Sequence, residues 1–492
     1  MMRLLRNVTL LLAVWAAAGG QMAQSNEAHA DEAWANESRA SDSHASESGA
    51  DGLLRATEAM RKGSFARAVD LYSTAIADDA LSPGDRLVAH NNRAVAYRRL
   101  GLHRRAIDDY DAALALAPTD GDLYYNRALA LARGGQLDRA LRDFDAALKV
   151  EGQVEAPAAS QDGQQRGEVL YNRGNVLQRK GLIESAIADY TRAIDLKPTD
   201  PQDLYTLAHY ARGQAYATLG QHEQALADFD RCIELDPRFA PAFSGRGFSL
   251  SGTGAHDRAV QSYSVAIDLR PDYAPAYRGR ADAFRRLGRY EQAVTDYSRA
   301  ITLLRDTAEG YYGRGLAYRG LDQYDRAIAD FSEAIRRAPA HRSAYSARGT
   351  LRFYLGQYGA AARDFQRSLA LRPGNAYAAL WLYLARQRAG LDGRDELAKN
   401  TRGLRASAWP AQVVGLFLGK IPAQAVIEAT KLPDSRRQRE RESEAFFYIG
   451  QYHLLEGDRK RAERFFRRSL LAGITTFVEH AGAETELKKL ES

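Results

Sequence analysis

Cysteine is almost absent from this chain of 492 residues, which contains Cys232 alone. One cysteine excludes both a disulfide framework and a cysteine-based metal site within the chain. Prolines are also few, at 14, whereas Ala, Leu, Arg, Asp and Gly dominate. The net charge is only +6 and charges of both signs are interleaved, which argues against nucleic-acid binding. This composition, in a chain too long for one compact core, favours a repeat array.

The apolar run at residues 8–18 is too short to span a bilayer. It follows the positive charges of Arg3 and Arg6 and precedes a stretch of small residues. We predict a signal peptide at residues 1–23, with cleavage as late as residue 30, and therefore export to a bacterial periplasm. An uncut membrane anchor is the alternative.

Residues 24–50 are rich in Ala, Ser and acidic side chains and contain little apolar surface beyond Trp34. Such a segment buries too little apolar surface to offset the entropy lost on ordering. We predict a disordered spacer here, with a frayed extra helix as the alternative.

An alanine and an aromatic residue recur along the chain at a spacing of 34 residues. The clearest examples are Ala259, Ala293, Ala327 and Ala361, followed four residues later by Tyr263, Tyr297, Phe331 and Phe365. The same pair recurs upstream at Ala68, Ala106, Ala140, Ala186 and Ala225, with insertions between units, the largest at residues 151–166. A fixed period of this length is the signature of stacked repeats.

Each unit has the apolar spacing of two helices. In the sixth unit these are predicted at residues 241–253 and 256–269. A Gly or Ala in the first helix, such as Gly247, lets the second helix approach closely, and the aromatic residue fills the groove between units. A proline ends most units because it cannot continue a helix.

This order of Gly or Ala, Ala, aromatic residue, Ala and Pro resembles the tetratricopeptide repeat (TPR) family over residues 52–373, as nine units. The resemblance implies an all-α, right-handed superhelical solenoid. Units 1–3 are predicted at residues 51–150, a loop at 151–166, and units 4–9 at 167–374. Residues 375–492 form an atypical helical end that caps the last apolar face.

An arginine precedes the small residue of every first helix, and an aspartate precedes the aromatic residue of most second helices. Arg280 and Asp296 are one such pair, and the separation is sixteen residues in every unit. A planar guanidinium suits bidentate contact with a carboxylate. We predict a ladder of ion pairs, across each helix pair or the adjacent pair, that aligns the helices, with a charged binding strip as the alternative.

The resemblance also implies that first helices line an inner, partner-binding face. The inward positions of this chain carry tyrosine, amide and arginine side chains, which suit protein or peptide partners. Packing between helices is the alternative for the tyrosines. The predicted contact residues are Asn91, Arg98, Tyr125, Tyr171, Asn175, Arg179, Tyr210, Gln214, Arg285, Tyr312 and Arg319.

The C-terminal block predicts a helix at residues 375–389 and a further helix pair at 444–472. Its strings LWLYLA at 380–385, FLGKI at 417–421, FYIGQY at 447–452 and FVEH at 477–480 resemble the NlpI family of bacterial lipoproteins. The resemblance implies a scaffold for periplasmic proteases or cell-wall hydrolases. Gln21 stands where the lipid-bearing cysteine would be expected, so no lipid anchor is predicted.

No catalytic, metal or cofactor site is predicted. None of the ten histidines stands in a metal-ligand pair such as HExxH, and motifs for a phosphate loop or a serine or cysteine nucleophile are missing. The leading hypothesis is a non-enzymatic scaffold or adaptor. The alternatives are a structural subunit of an envelope assembly and a small-ligand sensor.

Overall fold

The computed structural model describes residues 49–151, 161–196, 204–304, 308–474 and 477–491. Within these ranges it contains 25 helices and no strand, which confirms the all-α prediction. None of the described helices is both long and apolar enough to cross a membrane. The predicted signal peptide, and the predicted spacer up to residue 48, lie outside the described residues.

The chain divides into two compact units, the first ending at Arg270 and the second beginning at Pro271. The first unit contains α1 (Gly49–Arg61), α2 (Phe65–Ile76), α3 (Pro83–Arg99), α4 (His103–Leu116), α5 (Gly121–Arg133), α6 (Leu137–Glu151), α7 (Gln161–Arg179), α8 (Ile183–Asp195), α9 (Leu204–Thr218), α10 (His222–Leu235), α11 (Ala240–Gly252) and α12 (His256–Leu269).

The second unit contains α13 (Ala274–Arg286), α14 (Tyr290–Leu303), α15 (Ala308–Gly320), α16 (Tyr324–Arg337), α17 (Arg342–Tyr354), α18 (Tyr358–Leu371), α19 (Ala376–Arg388), α20 (Arg394–Asn400), α21 (Ala411–Phe417), α22 (Ala423–Glu428), α23 (Ser435–Leu455), α24 (Arg459–Leu471) and α25 (Val478–Glu491). From α1 to α18, each odd-numbered helix packs against the even-numbered helix that follows it. These are the helix pairs that the period predicts.

The turn inside each pair depends on a residue with positive φ. Gly101 follows α3 with φ 80°, and the backbone then closes the turn with a hydrogen bond from Leu102 N to Tyr97 O of 2.9 Å. Glycine reaches this conformation without the steric cost that a side chain adds. Asp322, with φ 56°, takes the same place between α15 and α16.

The small residue of each first helix faces the aromatic ring of its partner helix. A Cβ atom added at Gly174 would lie 2.6 Å from the ring of Tyr190, and one at Gly315 would lie 2.7 Å from Phe331. Both rings are fully buried. The predicted role of the small residue in close helix approach is therefore confirmed.

The predicted loop at 151–166 is shorter in the structure. Helix α7 begins at Gln161, so residues 161–166 are helical, and residues 152–160 lie outside the described residues. No proline stands between residues 158 and 180. Nothing there blocks extension of α7 towards the N-terminus, and polar residues are tolerated on a helix.

The C-terminal block is helical as predicted, with one boundary moved. Helix α19 begins after Asn375, whose side chain accepts a hydrogen bond from Ala378 N. Helix α23 begins at Ser435, nine residues before the predicted start, because Asp434 caps it by accepting from the Arg436 and Arg437 amides at 2.9 and 3.0 Å.

A cluster of aromatic rings joins this block to the last repeated helix pair. Trp381 of α19 stacks on Phe365 of α18, with ring centroids 5.9 Å apart, and lies 5.5 Å from Phe447 of α23. Its side chain is 4% exposed. The block therefore covers an apolar face of α17 and α18, as a solenoid end requires.

Candidate partner-binding surface

The predicted ladder of ion pairs is present in both units. Arg93 donates from Nε and Nη2 to the two oxygens of Asp109, each at 2.7 Å. The same bidentate contact joins Arg127 to Asp143, Arg173 to Asp189, Arg212 to Asp228, Arg280 to Asp296, Arg314 to Asp330, and Arg348 to Asp364. All seven aspartates are buried.

The third guanidinium nitrogen extends the ladder to the preceding helix pair. Arg127 Nη1 donates to Asp111 at 2.7 Å, and Arg348 Nη1 donates to Ser332 at 2.8 Å. Both acceptors directly follow the aromatic residue of the earlier pair. Sequence reasoning missed this position, although Ser, Thr or Asp recurs there. Each such arginine therefore links two consecutive pairs as well as the helices of its own pair.

Histidines add to two of the carboxylates. His90 Nδ1 lies 2.9 Å from Asp109, and His209 Nδ1 lies 2.8 Å from Asp228. Burial acts to raise the pKa of Asp109, but the hydrogen bonds from Arg93 and His90 hold that pKa below its ordinary value. The aspartates of the ladder are thus satisfied inside the protein. These contacts support the predicted role of the ladder in aligning helices.

First helices of consecutive pairs contact each other from α1 to α11 in the first unit, and α13 contacts α15 in the second, so first helices form a layer within each unit. All eleven predicted contact residues lie on these first helices. Gln214 and Arg179 are exposed and Tyr171 is buried. The remaining eight, which are half-buried, are Asn91, Arg98, Tyr125, Asn175, Tyr210, Arg285, Tyr312 and Arg319.

The tyrosines of this layer contribute mainly to packing. Tyr171 is 5% exposed, with its ring 6.0 Å from that of Tyr190, so its side chain offers a partner almost no surface. Tyr210 packs against Phe229 and Phe239 at 5.9 and 5.2 Å. The alternative interpretation, packing between helices, therefore describes Tyr171.

The polar members differ in how far they are engaged by neighbours. Asn175 accepts a hydrogen bond from Tyr190 Oη at 2.8 Å, and Gln214 donates to Tyr210 Oη at 2.9 Å. Arg285 lies 3.5 Å from Asp282. Arg98 Nη1 and Arg285 Nε are both buried atoms without a hydrogen-bond partner. The predicted contact residues therefore differ in whether their polar atoms have hydrogen-bond partners within the protein.

Cys232 does not have the surroundings of a reactive thiol. Its side chain is fully buried, Sγ lies 3.3 Å from Thr206 O, and burial raises the pKa of the thiol well above its ordinary value. A thiol that keeps its proton is a poor nucleophile. Among the described residues no group of three His, Cys, Asp or Glu side chains is placed to hold a metal ion.

Two glutamates in the C-terminal block, the half-buried Glu444 and the buried Glu479, escaped sequence reasoning. Glu444 accepts hydrogen bonds from Trp409 Nε1 at 2.7 Å and Tyr377 Oη at 2.9 Å. Glu479 accepts one from Tyr448 Oη at 3.2 Å. Burial, and then the charge of Glu444, raises the pKa of Glu479 to about 8. Their partners come from within the block, so these carboxyl groups tie its helices together.

The raised pKa of Glu479 predicts that the second unit loses stability as pH rises between about 4.5 and about 8. The folded carboxyl group keeps its proton in this range, whereas the unfolded one has lost it, so the stabilisation is complete below pH 4.5 and is lost as pH rises through 8. Thermal unfolding followed by circular dichroism across this range should show the fall. The Glu479→Gln variant should flatten it, whereas Glu463→Gln, at a side chain of α24 that is 42% exposed, should not. An unchanged profile in the first variant would contradict this assignment.

Family models match several helix pairs. Models described as tetratricopeptide repeat match residues 88–120, 167–200, 206–239 and 308–341, and residues 109–142. A model described as TPR repeat matches residues 281–322. The total of nine units remains a prediction from the sequence pattern.

Solved structures of repeat proteins are similar to parts of the chain. A tetratricopeptide repeat protein from Parabacteroides merdae is 22% identical, with 53% of this chain and 97% of that chain covered and a TM-score of 0.43. The C-terminal part of a TPR repeat-containing protein from Cytophaga hutchinsonii is 19% identical, with 53% and 98% covered and a TM-score of 0.41. YrrB, a TPR protein with an unusual peptide-binding site, is 22% identical, with 41% and 95% covered and a TM-score of 0.32.

Proposed function

We propose that this chain holds protein partners on its first helices. The chain is a tetratricopeptide repeat protein. That family consists of non-catalytic scaffolds that bind other proteins. The observation that carries this proposal is the division of labour within the layer that the first helices form. The arginines of the ladder are paired with buried aspartates. Gln214, Arg179 and the half-buried residues listed above, in contrast, retain accessible polar surface.

The proposed setting is the bacterial periplasm, and the proposed partners are a periplasmic protease or cell-wall hydrolases. The apolar run at residues 8–18, preceded by Arg3 and Arg6, supports export. The strings of the C-terminal block that resemble the NlpI family support the choice of partners. The repeat fold alone does not specify a ligand, so this finer proposal depends on those two segments.

A photo-crosslinking amino acid placed at position 214 should capture a partner in living cells. Gln214 is exposed on first helix α9, so a bound protein would lie within reach of its side chain. Position 223 is the matched control, because Glu223 is exposed on α10, the second helix of the same pair. Mass spectrometry of the crosslinked bands would identify partners. Equal capture at the two positions would contradict binding on the first-helix layer.

The identity of the captured partners, together with two further measurements, separates the scaffold from the other candidate functions. Capture of envelope hydrolases or proteases supports the scaffold. Capture of only the subunits of one fixed assembly would favour a structural component, and a thermal shift with a small envelope metabolite would favour a sensor. Cell fractionation tests the location, since protein recovered solely from the cytoplasm would exclude the periplasmic proposal.

A further inference from the structure

Helix α24 presents a face of cations to solvent. Lys460, Arg464 and Arg468 recur at intervals of four residues, so they lie in one row along the helix. Arg461 and Arg467 flank this row, and all five side chains are exposed. We propose that these five residues, the basic face of α24, dock the protein on a membrane surface rich in anionic phospholipids. This surface is separate from the first helices that are proposed to hold partners, because α24 is the second helix of its pair with α23.

Neighbouring carboxylates pair with the two flanking arginines of the basic face. Arg461 Nε lies 3.4 Å from Asp458 Oδ2. Arg467 Nη2 lies 2.9 Å from Glu463 Oε1 and 3.3 Å from Glu491 Oε1. The three cations of the row form no ion pair within the part of the chain that the structure describes. Their charge is therefore available to an external anion.

The corresponding face of earlier second helices carries acidic residues. Lys460 stands two residues before Ala462, which takes the place of the recurring alanine of the repeat. Six of the second helices between α2 and α18 have Asp or Glu at the position of Lys460. These residues are Asp138, Glu184, Glu223, Asp257, Glu291 and Asp325. A mixture of both signs is sufficient for a solvated helix face, so solubility does not require the uniformly basic face of α24.

An exposed leucine lies on the same face as the cations. Leu471 follows Arg468 by three residues and is 85% exposed, more than any other large apolar side chain of the described residues. Beside it, the guanidinium of Arg468 lies over the buried ring of Phe446, 3.9 Å from its centroid. An apolar side chain among cations suits the boundary between lipid phosphates and acyl chains, where both kinds of contact are available at once.

Helix α23 contributes a further cation beside Leu471. An open groove there is lined by Arg439, Glu442, Phe446, Arg468, Leu471 and Ala472. Arg439 is exposed and, like the row on α24, forms no ion pair with a described residue. Glu442 is half-buried and accepts a hydrogen bond from Gln438 Nε2 at 2.9 Å. The groove therefore favours an anion, since two guanidinium groups border it and its one carboxylate already has a partner.

An acidic protein segment is the alternative ligand for this face. Arginine binds carboxylate and phosphate oxygens alike, so charge alone does not separate a protein from a lipid surface. Leu471 favours the lipid surface, because it can enter the acyl boundary while the cations stay at the level of the phosphates. A bound acidic segment would instead leave this side chain in water unless it supplied a matching apolar pocket.

Cosedimentation of the full chain with lipid vesicles tests the proposal. Vesicles of phosphatidylglycerol and phosphatidylcholine in equal amounts should bind the protein, and the binding should weaken as the salt concentration rises. Vesicles of phosphatidylcholine alone should bind it only weakly. The variant Lys460→Gln/Arg464→Gln/Arg468→Gln should reduce the affinity for the anionic vesicles about a hundredfold, because each cation near such a surface contributes about fivefold.

A matched variant controls for the loss of charge. Arg142→Gln/Arg258→Gln/Arg326→Gln removes three cations from exposed positions on the second helices α6, α12 and α16. It should bind anionic vesicles as the wild type does. Equal affinities of the two triple variants would overturn the proposal. If circular dichroism showed the first variant to be unfolded, Arg464→Gln alone should still weaken binding about fivefold, and Arg464→Lys should retain it.

A fluorophore at position 471 distinguishes a lipid surface from a protein ligand. In Leu471→Cys, an environment-sensitive dye would label the new thiol alone, because Cys232 is fully buried. Its emission should shift to shorter wavelength with anionic vesicles, whereas the same dye at Arg326→Cys should show no shift. An unshifted spectrum at position 471 would overturn the lipid assignment, as would tighter binding of a Glu-rich peptide or of duplex DNA than of the vesicles.

Discussion

Replacing Arg280 by alanine is expected to lower the free energy of unfolding of the second unit by about 3–5 kcal/mol, the cost of leaving a buried charge unpaired. Asp296 is 5% exposed and receives two hydrogen bonds from Arg280, at 2.7 and 2.9 Å. Without the guanidinium, the carboxylate must stay unpaired in the interior or take up a proton. Urea unfolding followed by circular dichroism measures the loss.

The chain contains its own control for this experiment. Arg246 occupies the ladder position in α11, but its partner is Ser262, which receives a single hydrogen bond at 3.1 Å. Its contact with Asp230, at 3.2 Å, lies at the surface. Arg246→Ala should therefore cost only about 1 kcal/mol. Similar losses in the two variants would show that the arginine stem, and not the buried ion pair, carries the effect.

The ladder variant also separates structure from binding. Arg280 donates to a buried aspartate, so its loss should shift the unfolding midpoint while partner capture at position 214 persists under conditions where the variant is folded. Loss of capture by the folded variant would favour the charged binding strip. This comparison links the energetic argument to the proposed function.

Replacing Trp381 by alanine is expected to cost about 3–5 kcal/mol, the usual range for truncating a buried tryptophan. The ring lies among Phe353, Phe365 and Phe447, at centroid distances of 5.2, 5.9 and 5.5 Å. Its removal leaves a cavity where the C-terminal block meets the last repeated pair. Scanning calorimetry should show the lower transition temperature.

Because the block covers an apolar face of α17 and α18, the Trp381→Ala variant should also associate at higher protein concentration as that face becomes exposed. Light scattering measures this association. Leu471→Ala is the control, since Leu471 is 85% exposed and its loss should change the free energy of unfolding by less than about 0.5 kcal/mol. If the Trp381→Ala variant unfolded at the same transition temperature as the wild type, a capping role for the block would be excluded.

Much of the local structure could be predicted from the residues alone. The second helix of the sixth unit was predicted at residues 256–269 and is observed at His256–Leu269. The separation of sixteen residues also predicted contacts between Arg and Asp, across the helix pair or the adjacent pair, and the structure pairs Arg280 with Asp296 inside one helix pair. Both features depend on contacts within one helix pair, where the short turn fixes how the two helices face each other. The periodicity of the sequence is therefore sufficient to predict the bounds of the helices and the side chains that face each other within a pair.

Other features depend on contacts that no spacing rule describes. The bridge from Arg127 to Asp111 requires the stacking of consecutive pairs, and the early start of α23 follows from the cap at Asp434. The burial of Tyr171 and the raised pKa of Glu479 arise from neighbours outside their own helices. Residue type is a weak guide here, because tyrosine and glutamate are polar enough to suit a surface.

The sequence by itself determined the helix pairs, their turns and the ion pair within each of seven pairs, because these are short-range consequences of a repeated pattern. Only the tertiary structure decided which first-helix side chains remain accessible and which carboxyl groups are buried. Accessibility and electrostatic environment are properties of the surroundings of a side chain. Those surroundings are assembled from residues far apart in the chain, so each depends on packing that the local pattern does not specify.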